Sequence, residues 1–411
     1  MALRLAAFVP VVLALLFGLG IPKAFSLLYV VLIAAAWLAW RRPGPTPSLL
    51  TCWSASWLFL FGLSYAAFQV GWLVWSPPQR FVPEILAVVV LPSAAMLVGW
   101  LLQRFGVRFG SRLILAYALG ALIYALLVLV LSRSPWWALT QRFSHVVRVP
   151  WGEDWMSTRA VEQRAFLALT MLPMGIPLLL SPQSCQRLLG VITILMGGIA
   201  VHVAWALDGR IGWAALVLSG LPLLFLIPNH GQRWLVGGAS AFGTILAIAS
   251  GKLCDERWWL VSGFLRHLGD APWGGRLMKF DYRECRPGIV LHFGSGPHSN
   301  AFAHNVVLDV FNDAGFVPTM CILLAVLPVV AYLLYQFWSR FCEYGWNWQL
   351  SLRWGFLSVL IVQWLVQPFL YSDQLMFTIG FLFAGMLLAE FNSDSPLDWP
   401  VAKPSRQDRS P

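Results

Sequence analysis

Apolar runs of about 17 to 25 residues, the length a helix needs to cross a bilayer, recur along the whole chain between short breaks rich in Pro, Gly and Arg. They fall near residues 5–20, 24–40, 49–75, 81–103, 111–131, 165–181, 187–207, 211–228, 233–250, 305–337, 350–370 and 374–391. The pattern predicts an all-α, polytopic integral membrane protein of about twelve transmembrane helices. Arg4 and the apolar run after it have the outline of a secretory signal. A second run begins after only Ile21, Pro22 and Lys23 and closes on Arg41 and Arg42, so a retained helical hairpin is preferred.

The same pattern divides the chain. Residues 1–131 are N-terminal membrane helices, 132–164 a first outward loop, and 165–250 membrane helices. Residues 251–303 form a large outward loop with short helices, 304–392 the C-terminal membrane helices, and 393–411 a Pro- and Ser-rich tail expected to be disordered.

Composition agrees with this division. With 59% hydrophobic and 11% charged residues and a mean hydropathy of +0.71, the chain has far more apolar sequence than a soluble core uses. A net charge of +10 in a soluble chain would point to nucleic acid; here it is explained by orientation, and no nucleic-acid partner is expected. The N-terminal side carries thirteen Lys and Arg in its loops, span ends and tail, Arg353 among them, whereas the short loops opposite hold three, Lys23, Arg80 and Arg210. By the positive-inside rule both termini are cytoplasmic and both long loops face outward. Cys254 and Cys285 lie in the second of these loops and are candidates for a disulfide if it meets an oxidising compartment such as a periplasm, two separate thiols being the alternative.

Polar chemistry gathers in the outward segments. The first long loop interleaves Arg133, Arg142, Arg148, Arg159 and Arg164 with Trp136, Trp137, Trp151 and Trp155. Such a surface suits phosphorylated lipid or sugar, although a segment lying on the headgroups explains it more economically. Arg210 stands in a very short outward turn, where positive charge is normally avoided; Asp208 can pair with it. The second loop opens on Arg257-Trp258-Trp259, continues as an amphipathic stretch to Leu268, and turns at Pro272, Gly274 and Gly275. Whether its Arg266, Arg276, Arg283 and Arg286 meet substrate or headgroups is open on the sequence.

His292, His298 and His304 recur every six residues. That spacing fits neither face of a helix and no acid or thiol stands at a regular offset, so no metal site is assigned. His304 differs because a helix begins there. With Asn305 it sits where a polar Gly-containing loop turns into an apolar run, and a histidine and an amide at that joint belong to a polar cavity or the interface.

His304-Asn305, nine further residues and Gly315 resemble the motif of the O-antigen ligase and polymerase superfamily, with Pro318 in place of its last Gly and Asp313 where the family often has an acid. Asp208-Gly209-Arg210 resembles the family's Ser-Arg-Gly element. Arg257, fifteen residues before Pro272-Trp273-Gly274-Gly275, resembles the arginine preceding its Pro-x-x-Gly turn. The match covers roughly residues 187–337.

The resemblance implies transfer of a glycan from an undecaprenyl-diphosphate carrier to an acceptor hydroxyl, with inversion, at the periplasmic face of the bacterial inner membrane, with neither metal nor cofactor. His304 would be the catalytic base, Arg210 and Arg257 would hold the diphosphate, and Asn305 and Asp313 would support them. Lipid A core as acceptor, the O-antigen ligase reaction in lipopolysaccharide biosynthesis, is favoured. A glycan acceptor, as in a polymerase, and a protein acceptor, as in an O-oligosaccharyltransferase, are the alternatives. A transporter of lipid-linked substrate is the reading from another class, but the two halves show no convincing repeat. His202, inside the seventh run, resembles a relay residue, but a core histidine facing another helix is the preferred account.

Overall fold

A computed structural model describes residues 2–21, 24–41, 46–75, 82–106, 108–131, 168–169, 171–206, 210–227, 229–249, 256–275, 278–279, 282–286, 289–293, 302–344, 348–366, 370 and 374–392. In order, its helices are α1 (Ala2–Gly18), α2 (Ala24–Trp40), α3 (Leu49–Trp75), α4 (Val82–Leu102), α5 (Arg108–Leu131), α6 (Met171–Leu179) and α7 (Ser184–Ala206). There follow α8 (Arg210–Gly220), α9 (His230–Ala249), α10 (Glu256–Arg266), α11 (Val306–Ala314), α12 (Phe316–Tyr344), α13 (Trp348–Val366) and α14 (Gln374–Asn392). Four stretches, Leu49–Gln69, Val88–Phe105, Ser184–His202 and Phe316–Glu343, are helical, long and apolar enough to cross a membrane.

The bundle hides small and polar residues and shows large apolar ones. Thr51, Ser54, Ser358, Gln363 and Thr378 are buried, while Leu27, Val30, Trp37, Leu188, Leu195, Leu235, Phe242 and Leu327 are exposed. Water would penalise such a surface and hydrocarbon does not, so the distribution matches a chain solvated by lipid. Helix α14 packs on α4, α3 on α4 and on α12, α1 on α5, and α13 on α8 and α6. Where α4 meets α14 the contact is backbone on backbone. A Cβ on Gly99 would collide with the Leu382 carbonyl, and one on Gly385 with that of Met96.

The structure refines the sequence pattern at several points. The run at 305–337 is two helices, α11 and α12, parted at Gly315, whose φ of 85° is open to glycine at little cost. Pro318 lies in the first turn of α12, where an N–H has no intrahelical acceptor to lose. The run at 211–228 is helical as α8 only to Gly220 and then tightens into a 3₁₀ turn over Leu221–Leu226, with Pro222 at its start. Part of the long segment at 251–303 is not helical. Strands β1 (Tyr282–Arg286) and β2 (Ile289–Phe293) pair antiparallel, with Tyr282 opposite Phe293 and Arg286 opposite Ile289. The β-branched and aromatic content of β2, Ile-Val-Leu-His-Phe, favours a strand, and β1 pairs along its edge.

One basic residue lies deep in the bundle. Arg353, inside the run predicted at 350–370, is buried in α13. Its Nε donates to Glu390 Oε2 of α14 at 2.8 Å and its Nη1 to the Gln349 carbonyl at 3.0 Å. A guanidinium is retained at such a place only with acceptors in reach.

Candidate functional site

The short helix α11 is anchored at both ends. Asn305 is its N-cap, its Oδ1 accepting from the N–H groups of Val307 (3.1 Å) and Leu308 (3.2 Å). The same side chain donates through Nδ2 to the Leu365 carbonyl of α13 at 3.2 Å. At the other end Gly315 is the C-cap, its N–H donating to the Phe311 carbonyl at 3.0 Å. Three polar residues of this helix, Asp309, Asn312 and Asp313, are buried.

His304 immediately precedes the cap, is 9% exposed, and has a φ of 58°. It is the one non-glycine residue among those described with a positive φ. The left-handed region costs a residue with a Cβ about 1–3 kcal/mol, so the surroundings must hold it there. Asp309 does so from the next turn of the helix. Its Oδ1 accepts from the Ala303 N–H at 2.6 Å and its Oδ2 from the Asn305 N–H at 3.1 Å, so one carboxylate grips the backbone on both sides of His304. Asp309 is itself 1% exposed. Two ordinary hydrogen bonds contribute about 0.5–1.5 kcal/mol each, comparable with the backbone strain.

The turn at Pro272–Gly275 docks against the far end of α11. The Gly275 N–H donates to the Phe311 carbonyl at 2.9 Å, and the Phe316 N–H, in the first turn of α12, donates to the Trp273 carbonyl at 2.9 Å. A loop nearly forty positions upstream thus satisfies groups that a helix end leaves open. Gly274 (φ 68°) and Gly275 (φ 71°) are both left-handed, and a Cβ on Gly274 would run into Phe311 and Gly315. Just beyond the turn, the Asn312 amide pairs twice with the Met278 backbone. Its Oδ1 accepts from the N–H and its Nδ2 donates to the carbonyl, each at 3.0 Å.

Two further ties complete the frame. Phe264 of α10 and Ala303 are buried against each other, with Met278, Leu308 and Phe311 around them. On the opposite side, Tyr65 of α3 donates its hydroxyl to Asp313 Oδ2 at 2.7 Å. Two of the three motifs that the sequence places far apart therefore bear on one another, the Arg257-to-Gly275 segment through Phe264, Gly274 and Gly275, and the His304-Asn305 joint through α11.

Next to the joint, an apolar groove of about 200 Å³ lies between α12, α13 and α14, with Ser54 of α3 and Met96 of α4 in its wall. Asn305 and Val307 line one end. It follows α12 from Ile322 to Leu333, about 16 Å at the helical rise. Small residues, Ala325, Gly380 and Ala384, leave the space open.

The remaining predicted residues are placed as follows. Arg210 is the first residue of α8, which packs on α13, where the Trp354 Nε1–H donates to the Leu218 carbonyl at 2.8 Å. Arg257 is in the first turn of α10. The backbones of both arginines are described and their side chains lie outside the described residues. Cys254, His298, Arg276 and the whole loop at 132–164 also lie outside them, as does the Cys285 side chain, so the disulfide expectation falls there too. Cys285, Arg283 and Arg286 are on β1, His292 is on β2, and Arg266 is exposed at the end of α10. His202 is half-buried in α7.

Sequence reasoning missed Asp309 and Tyr65. An acid four residues after the N-cap, inside a helix otherwise apolar until Asn312, was the available signal for Asp309. Tyr65 had none, since its partner is 248 positions away. Compared with models of known protein families and with curated proteins, the chain matches none.

Proposed function

We propose that this chain is a membrane glycosyltransferase of the O-antigen ligase type, which moves a glycan from undecaprenyl diphosphate to an acceptor hydroxyl, with lipid A core the favoured acceptor. In this reading the chain spans the bacterial inner membrane about twelve times, with cytoplasmic termini and the site at the periplasmic face. The observation that carries it is the convergence of α10, the Pro272–Gly275 turn and the His304-Asn305 joint around Phe311 and Ala303. Those segments bear two of the three family-like motifs, and their meeting is what a shared site requires.

The chemistry follows from the residue types. The neutral His304 imidazole takes the proton from the acceptor hydroxyl as its oxygen attacks the anomeric carbon. The bond from that carbon to the diphosphate oxygen breaks, and the carrier leaves with the additional negative charge. Arg210 and Arg257 meet that charge with paired, charge-assisted hydrogen bonds. Attack opposite the leaving group inverts the anomeric centre. Asn305 and Asp313 hold α11 in place, and the groove beside Asn305 suits the hydrocarbon chain of a lipid carrier whose headgroup lies at His304.

The test is reconstituted transfer with purified protein, undecaprenyl-diphosphate glycan and lipid A core in the presence of EDTA, comparing the wild type with His304→Ala. The expected result is a lipid A-linked product from the wild type and none from the folded variant. Lengthening of the donor when it is the sole glycan would move the reading to a polymerase. A donor untouched under every condition would overturn it in favour of transport.

A further inference from the structure

We propose that Asp309 is the positioning residue of this site, setting the direction of the His304 imidazole through the backbone and not by touching substrate. The inference rests on the general-base reading of His304 and names the group that makes that base effective.

The argument is geometric. His304 sits at a φ of 58°, a conformation that a histidine leaves when free to do so. Its Cα–Cβ direction is set by that φ, so a relaxed residue 304 would aim its ring elsewhere. The peptides on either side are held by the two oxygens of one carboxylate, at 2.6 Å to the Ala303 N–H and 3.1 Å to the Asn305 N–H. Asp309 is in turn fixed by the helix, since its own N–H donates to the Asn305 carbonyl at 2.8 Å. Asn305 caps that helix and ties it to α13, while Asp313 ties it to α3. Rigidity passes from the bundle into α11, from α11 into Asp309, and from Asp309 into the one left-handed histidine among the described residues. Displacing a catalytic group by about 1 Å costs on the order of 10²-fold in rate.

The carboxylate makes two acceptor bonds that other side chains can only partly copy. Asparagine keeps one acceptor oxygen and turns an NH₂ toward the other N–H. Glutamate keeps both oxygens on a stem longer by one methylene. Alanine keeps neither.

The experiment uses the full-length protein in lipid vesicles and has two readouts. The first is steady-state transfer from undecaprenyl-diphosphate glycan to lipid A core by Asp309→Asn, Asp309→Glu and Asp309→Ala. The expected result is a kcat reduced about 10²-fold in the alanine variant, less in the other two, with the donor KM within about twofold of wild type. The second needs no activity. The thiol introduced by His304→Cys is alkylated with a water-soluble maleimide, in the Asp309 background and in combination with Asp309→Asn or Asp309→Ala. Its rate is expected to change at least about fivefold when the carboxylate is lost. Thermal melts select variants that fold, and Asp309→Asn serves if the alanine variant does not. An alkylation rate that ignores residue 309 overturns the proposal, and so does a kcat loss matched by an equal fall in folded protein. A changed alkylation rate alongside a wild type that transfers nothing leaves the positioning standing and removes the transferase reading instead.

Discussion

Gly274 lies against the Phe311 carbonyl so closely that no side chain fits between them, and its φ of 68° excludes most residues on its own account. The turn and α11 are thereby locked as one piece, with the neighbouring Gly275 N–H hydrogen-bonded to that same carbonyl. Gly274→Ala should displace the turn, costing about 1–3 kcal/mol locally from the backbone conformation alone. Because the turn is bonded to α11 and to the first turn of α12, the melting temperature should fall by a few degrees, as about 1 kcal/mol does, while transfer falls by at least tenfold. Parallel melting and transfer measurements check both halves of this expectation.

Tyr65→Phe removes a 2.7 Å hydrogen bond to a buried carboxyl without changing the ring's volume. The expected cost is about 1–3 kcal/mol of stability, seen as a lower thermal midpoint of the detergent-solubilised protein. Asp313→Asn keeps an oxygen that can accept from the Tyr65 hydroxyl and should cost less. Equal losses from the two substitutions would mean that the hydroxyl contact is not what anchors α11 to α3.

Gly380 lines the groove, and a Cβ there would meet only Leu360, at 3.7 Å. A large side chain can therefore occupy the groove without pushing two helices apart. Gly380→Phe should raise the KM for the lipid-linked donor about tenfold, equivalent to ~1.4 kcal/mol, with little change in melting. Gly198→Phe, at an exposed position of α7 with nothing within 4 Å, is the control and should leave KM unchanged.

Glu390→Gln weakens the buried pair with Arg353, whose Nε lies 2.8 Å from the carboxylate. Removing one partner of such a pair costs about 3–5 kcal/mol, because the other charge stays buried. Replacing both, by Arg353→Met with Glu390→Leu, should restore most of the loss. A double variant as unstable as the single one would show that the charge is needed for something besides packing.

The sequence by itself determined the solvent of this protein and the kind of element it uses. Hydrocarbon leaves backbone groups no partner but one another, so apolar runs of bilayer length must be helices, and their repetition is legible residue by residue. The joint at His304 and the helix start beside it were legible in part, since a polar loop turning into an apolar run is a local signal. The break at Gly315 was not, because the apolar run continues past Gly315 without interruption. Tertiary structure alone decided what holds that joint. The Gly275 N–H reaches Phe311 and Tyr65 reaches Asp313, while elsewhere in the bundle Glu390 reaches Arg353. Each of these bonds joins segments remote in the chain, and which remote segments meet is set by how whole helix faces pack, a property that no local spacing carries.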